Sequence, residues 1–193
     1  MVAVSDSRGG IKAHQVQDIH IVQQHKVANR SLQAVYCHDT VCDLVDHKTL
    51  TNEELLTLPV DILVPAALEN QITTSNVANV QARYIFEVAN GPVSADADLI
   101  LEDKGILVFP DILVNAGGVT VSYFEWVQNR SGLYWSEAEV HQRLETKMEE
   151  EAEQIWQIAQ EKSISMRTAA YVHALTRLGE ALDARGTQDY YAG

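Results

Sequence analysis

Ten glycines are spread over 193 residues without once forming G-x-G-x-x-G, so the chain lacks the phosphate-binding turn that opens a complete dinucleotide-binding unit. Cysteine is scarce as well. Cys37 and Cys42 lie close to His38 and His47, but no second ligand pair at zinc spacing follows, so free thiols in a reducing compartment and no metal are expected. Positive charge is in short supply: 14 Lys and Arg against 27 Asp and Glu give a formal charge of −13. Scattered cations cannot neutralise a phosphate backbone, which excludes nucleic acid as a partner. No apolar run nears the roughly 20 residues that span a bilayer, and no charged-then-apolar leader precedes the first strand, so a soluble, cytoplasmic protein without membrane contact is expected.

What is present is an alternation of short apolar runs and helical stretches. Ile106 to Phe109 has the length and β-branched or aromatic content of a buried strand, closed by Pro110, and a helical pattern opens after Gly117-Gly118. Asp61-Ile62-Leu63-Val64 stops at Pro65, and Tyr84-Ile85-Phe86-Glu87 exits into Val88-Ala89-Asn90-Gly91-Pro92. With a helix from Ser94 to Leu101, this order specifies a parallel sheet with helices on its faces. Ligand sites of such sheets lie at the carboxyl ends of the strands. Those ends carry Asn70, Asn90 and Asn115, side chains that combine a donor with an acceptor. Ala66 and Ala67 are small enough to let a planar group lie against the backbone, while Val119 and Ser122, three apart, share a helix face behind Asn115. Bland readings compete at each position: Asn115 as a helix N-cap, the glycines as packing relief, the other asparagines as turn formers.

Toward the N-terminus, Met1 to Asp6 reads as a strand ending in Asp6-Ser7-Arg8-Gly9-Gly10. An acidic residue there hydrogen-bonds an adenosine ribose and favours NAD, whereas a nearby arginine accepts a 2′-phosphate and favours NADP; a plain polar turn is the alternative. Val16, Ile19, Ile21 and Val22 fit a short helix, Leu32 to Tyr36 a strand, and the rest of residues 32–50 a loop. Thr51 with Glu54 forms a capping box. Beyond residue 130 the chain is helical. Val140, Leu144, Met148, Ala152, Ile155, Trp156 and Ala159 mark a helix of about 25 residues with its glutamates in solvent. Met166 to Leu182 mark a last helix between Ser165 and Gly186, with Arg167 and His173 as polar decoration or, as the alternative, functional residues.

Together, Ser5-Asp6-Ser7-Arg8-Gly9-Gly10, Pro65-Ala66-Ala67-Leu68-Glu69-Asn70-Gln71-Ile72, Ala89-Asn90-Gly91-Pro92, the run Pro110 to Trp126, and Met166-Arg167-Thr168-Ala169-Ala170-Tyr171 resemble the coenzyme domain of the glutamate, leucine, phenylalanine and valine dehydrogenase family, most closely its glutamate dehydrogenases. The resemblance covers nearly the whole chain and is weakest over residues 30–50. It implies oxidative deamination of L-glutamate to 2-oxoglutarate and ammonia, hydride transfer to NAD or NADP, and usually a hexamer. It assigns Asp6 and Ser7 to the adenosine ribose, Ala66 and Ala67 to the cofactor's flank, Asn90 to the nicotinamide ribose and Asn115 to the nicotinamide carboxamide. Val119 and Ser122 match positions lining the substrate side-chain pocket, with Ser122 bonding the distal carboxylate. Val88 stands where the family usually has Gly.

The expected fold is α/β, a Rossmann-like doubly wound, mostly parallel sheet without its first strand and glycine fingerprint, followed by long C-terminal helices. Its expected division is a partial dinucleotide-binding domain over residues 1–130 and a helical segment over 131–193 packed on it and toward a substrate domain. None of the six lysines sits in the glycine-flanked loop that holds the family's catalytic lysine. No catalytic residue is therefore assigned within the chain, which is expected to be a C-terminal fragment or truncated reading frame, inactive alone. The rivals are a non-catalytic assembly module of a full-length dehydrogenase and a methyltransferase that binds S-adenosylmethionine.

Overall fold

The computed structural model describes residues 1–13, 19–38, 41–44 and 46–184, with residues 36–38 and 41–44 described by their backbone alone. Val16 of the expected first helix, Gly186 as the expected stop of the last, and the side chains of Cys37, His38 and Cys42 lie outside the described residues. Two compact units result, Met1–Asp61 with Thr74–Ala82 and Ile62–Thr73 with Arg83–Gly193.

The first unit runs β1 (Ala3–Asp6), β2 (Gly9–Ala13), α1 (Ile19–Asn29), β3 (Val35–His38), β4 (Val41–Leu44), β5 (His47–Leu50) and α2 (Asn52–Leu56). Asp6 pairs with Gly9 across a two-residue turn, and Gly9 adopts φ +131°. So short a turn can join only antiparallel strands, since a parallel pair needs a crossover of a dozen or more residues. Strands β1, β2 and β5 accordingly form an antiparallel sheet in that order, and β3 pairs antiparallel with β4. Residues 32–50, expected as one strand followed by loop, thus supply three strands. Their polar and histidine-rich composition gave no apolar run by which a strand is read from sequence. Ile11, Ala13, Val22 and Ala34 form the core. The capping box is present: Glu54 N–H donates to Thr51 Oγ1 at 3.1 Å and Thr51 N–H to Glu54 Oε2 at 2.8 Å.

The second unit carries the expected parallel sheet, β6 (Ile62–Leu63), β7 (Tyr84–Phe86) and β8 (Leu107–Phe109), in that order. Helix α3 (Ala95–Asp103) joins β7 to β8 and buries Ala97 and Leu101. Phe86 opposes Phe109 in register, and their rings stack at 4.4 Å, a cross-strand pair that fixes the alignment at the carboxyl ends. One helical turn, α4 (Asp111–Val114), follows β8 where loop was expected. Then come α5 (Gly117–Ser131), α6 (Glu137–Lys162) and α7 (Met166–Ala184). Ser165 caps α7 as expected, accepting from Thr168 N–H at 3.3 Å. Leu113, Ile155, Ala159, Met166, Ala169 and Ala170 build one core beneath β8. Among the described residues no helix is long and apolar enough to cross a membrane.

Candidate functional site

The ends of the three parallel strands are sewn together by backbone. Pro65 O accepts from both Val88 N–H (3.1 Å) and Ala89 N–H (3.0 Å), joining the exits of β6 and β7. Asn70 N–H donates to Gly91 O at 2.9 Å, and Gln71 and Ile72 N–H donate to Pro92 O. Glu87 N–H reaches Phe109 O at 3.1 Å, which adds the exit of β8. Three asparagine-bearing loops are therefore neighbours. Val88, where the resemblance implies glycine, is 42% exposed while its backbone makes these contacts.

At the junction Asn115 Nδ2 donates to Asn90 Oδ1 at 2.7 Å and to Val88 O at 3.3 Å. The reading of Asn115 as an N-cap fails: it ends α4, and Ala116 occupies the N-cap of α5. With its amide nitrogen engaged, Asn115 retains its carbonyl oxygen as acceptor, and Asn90 retains its amide as donor. An adjacent acceptor and donor complement a primary carboxamide. Packing within the chain does not demand the glycine pair. A Cβ on Gly118 would meet nothing within 4 Å, and one on Gly117 only Leu144 side-chain carbons at 3.8 and 4.0 Å. Both glycines leave room for a ligand against the start of α5.

Asn70 adopts the left-handed conformation, φ +53°. This costs a residue bearing a Cβ about 1–2 kcal/mol, and asparagine tolerates it best among them. Asn70→Ala is expected to lower stability by about 1 kcal/mol and Asn70→Gly to leave it unchanged or improved, measured as urea midpoints. Equal midpoints for the two variants would show that the strain is not borne there.

Of the other predicted residues, Ala66 and Ala67 are exposed at the exit of β6, and Val119 and Ser122 are exposed on α5, which buries no residue. In the first unit Asp6 ends β1 and Ser7 sits in the turn. The Asp6 carboxylate accepts from Arg8 N–H at 2.8 Å and pairs with Lys26 Nζ at 3.1 Å, with an Arg8 guanidinium nitrogen at 3.9 Å. The Arg8 backbone hydrogen bond, then Lys26, hold its pKa below the usual carboxylate value.

Sequence reasoning passed over a cluster behind the asparagine pair. Arg167, expected as decoration on α7, bonds Glu87 Oε1 through one Nη at 2.8 Å and Asp98 Oδ2 through Nε at 2.7 Å, with Asp111 at 3.6 Å. Burial disfavours the guanidinium charge, but the Asp98 and Glu87 hydrogen bonds and charges outweigh it and raise the pKa above the ordinary value. Glu87 is fully buried, at 0% exposure. Its signal in the sequence was a lone carboxylate at the end of the apolar run Tyr84 to Phe86. A second correction concerns α6, whose glutamates were expected in solvent. Glu151 instead pairs with Lys147, with His173 Nε2 at 2.6 Å and with Arg177 Nη1 at 2.7 Å.

The family model described as glutamate/leucine/phenylalanine/valine dehydrogenase matches residues 1–186. The chain is 62% identical over 191 residues to the NADP-specific glutamate dehydrogenase of Synechocystis sp., covering 99% of this chain and 45% of that protein. It is 42% identical to the cryptic catabolic NAD-specific glutamate dehydrogenase of Bacillus subtilis, covering 96% of this chain and 41% of the relative. A crystal structure of hetero-hexameric glutamate dehydrogenase from Thermus thermophilus in its leucine-bound form superposes with a TM-score of 0.82 at 34% identity, over 96% of this chain and 42% of that one. The chain thus spans less than half the length of the relatives it matches.

Proposed function

Because the chain belongs to the glutamate/leucine/phenylalanine/valine dehydrogenase family, we propose that it is the coenzyme-binding portion of a glutamate dehydrogenase. The whole enzyme would convert L-glutamate to 2-oxoglutarate and ammonia with hydride transfer to NAD(P). The observation that carries this reading is the Asn115–Asn90 pair at 2.7 Å, set where three parallel strands end. Its acceptor and donor match the nicotinamide carboxamide, so that Asn90, expected at the nicotinamide ribose, would reach the carboxamide together with Asn115, with Ala66 and Ala67 as small neighbours at the exit of β6. In the first unit Asp6 and Ser7 would meet the adenosine ribose.

NADP is the favoured form in this reading. Lys26 and Arg8 offset the charge of Asp6, so a ribose 2′-phosphate would meet two cations rather than a bare carboxylate. On α5, exposed Val119 and Ser122 would face the glutamate side chain, Ser122 donating to its distal carboxylate. No side chain is assigned to proton transfer, so the 193-residue chain alone would not turn over, and assembly of the full-length protein into a hexamer in the cytoplasm belongs to the same proposal.

Titrating the chain with NADPH and NADH, followed by quenching of tryptophan fluorescence, tests this. Saturable binding at least tenfold tighter for NADPH is expected, with no protection from unfolding by S-adenosylmethionine. Absence of saturable binding by either nucleotide would overturn the coenzyme reading, and glutamate-dependent NADPH formation by the purified chain would overturn its inactivity. A second reading, an assembly module, is favoured by Leu175, Leu178 and Leu182, which leave one stripe of α7 more than 60% exposed apart from Leu178 at 60%. Co-elution with a full-length homologous subunit on size exclusion, without nucleotide binding, would select it.

A further inference from the structure

Glu87 stands out as a carboxylate at 0% exposure that serves neither the sheet nor the apolar core. Removing an ion pair from water costs enough that well-packed apolar residues in its place are often neutral or stabilising. Stability therefore gives a weak reason for its presence, and its contacts suggest another. Glu87 Oε1 accepts from Arg167 of α7 at 2.8 Å, while Glu87 Oε2 accepts from Asp111 N–H at 2.8 Å. Asp111 Oδ2 in turn accepts from Gly91 N–H at 2.8 Å, and Asp111 O accepts from Asn115 N–H at 3.0 Å. Arg167 is itself fixed by its fork on Asp98 of α3, at 2.7 and 3.2 Å.

The sequence of bonds is continuous: α3 to Arg167, Arg167 to Glu87, Glu87 to Asp111, then from Asp111 to Gly91 and to Asn115. Asn90 precedes Gly91, so both members of the asparagine pair hang from Asp111, and Asp111 hangs from Glu87. Each link but the last joins a charged group to a directional partner, the short, strong type of hydrogen bond. Each residue in it lies in the second unit.

We propose that Glu87 and Arg167 are positioning residues that set the mutual placement of Asn90 and Asn115, and hence the fit of the nicotinamide carboxamide. The inference rests on the coenzyme reading above. Its discriminating variant is Glu87→Gln. The amide keeps the volume but has one carbonyl oxygen where the carboxylate had two, so either Arg167 or Asp111 N–H loses its acceptor and faces an N–H instead. Arg167→Lys is the companion: it keeps the charge but not the planar fork that reaches Asp98 and Glu87 together.

Two probes are titrated into the unmodified chain and both variants: NADPH, and 2′,5′-ADP, which lacks the nicotinamide half. The expected result is a loss of tenfold or more in NADPH affinity in both variants, with 2′,5′-ADP affinity changed less than twofold. Equal losses for both probes would indicate a general structural defect and overturn the positioning role, as would unchanged NADPH affinity in both variants. If neither variant folds, hydrogen exchange on the unmodified chain decides: NADPH should slow exchange of the Gly91 and Asp111 amides at least tenfold, and no change there would sink the proposal. A chain that binds no NADPH at all defeats the coenzyme reading itself. One that binds it, with variants that bind it equally well, defeats only the inference.

Discussion

Replacement of Arg167 by Ala is expected to destabilise the second unit by about 3–5 kcal/mol, the usual cost of removing one partner of a buried ion pair. Truncation leaves Glu87, at 0% exposure, with one oxygen unpaired, and leaves Asp98 and Asp111 facing it without the intervening cation. Like charges held together in low dielectric repel, and Glu87 cannot reach water to relieve the strain. Trp126, Trp135 and Trp156 all lie in this unit, so tryptophan fluorescence in urea reports on the relevant transition. The corresponding fall in melting temperature is on the order of 10 °C. Combining Arg167→Met with Glu87→Leu should recover part of the loss, because the fully buried carboxylate leaves with its partner, while Asp98 and Asp111 stay without the cation and Asp111 N–H without its acceptor. A single-variant loss below about 1 kcal/mol would mean that solvent takes over the guanidinium's role, and the cluster would then not be the rigid support that its geometry describes.

Acid should weaken the pairing of α6 with α7 through Glu151. Burial alone would push this carboxyl up. The hydrogen bonds from Lys147 and His173 and the charges of Lys147 and Arg177 override it and bring the pKa to about 2 from 4.5. A folded-state pKa below the unfolded one means that the ion cluster stabilises fully above pH 4.5, and that this contribution fades as pH falls toward 2. Arg177 and Lys147 are 57% and 41% exposed, so solvent screening reduces the contribution to roughly 1–2 kcal/mol. Glu151→Gln should therefore be less stable than the parent by that amount at neutral pH, and the two should converge near pH 2. Urea midpoints for both proteins at pH 7, 4 and 2.5 measure it. A gap between them that is the same at pH 7 and pH 2.5 would show that the carboxylate charge is not what holds the helices.

Much of the second unit was legible because its signals are local. Pro65 and Pro110 each end an apolar run, since a residue without an N–H cannot continue a ladder, and both strands stop within two residues of them. Gly117 opens α5, and Ser165 caps α7. Asparagines at successive strand ends read as neighbours because parallel strands deliver their carboxyl ends to one edge, and two of the three side chains meet there. The first unit was less legible. Whether a strand pairs parallel or antiparallel depends on the turn that follows it, and the Ser7-Arg8 connection also read as a plain polar turn.

In the second unit the sequence by itself determined where the parallel strands end and where the long helices begin, and which residue types stand at the carboxyl edge of the sheet, because caps, breakers and periodicity act over four residues or fewer. Only the tertiary structure decided what holds that edge in shape. Arg167 finds Asp98 and Glu87 at separations of 69 and 80 residues, and His173 finds Glu151 across 22. A charged side chain on a helix looks the same in sequence whether it meets water or a buried carboxylate. Its partner is fixed by how helices and strand ends pack, and that packing is a property of the whole unit rather than of any stretch of it.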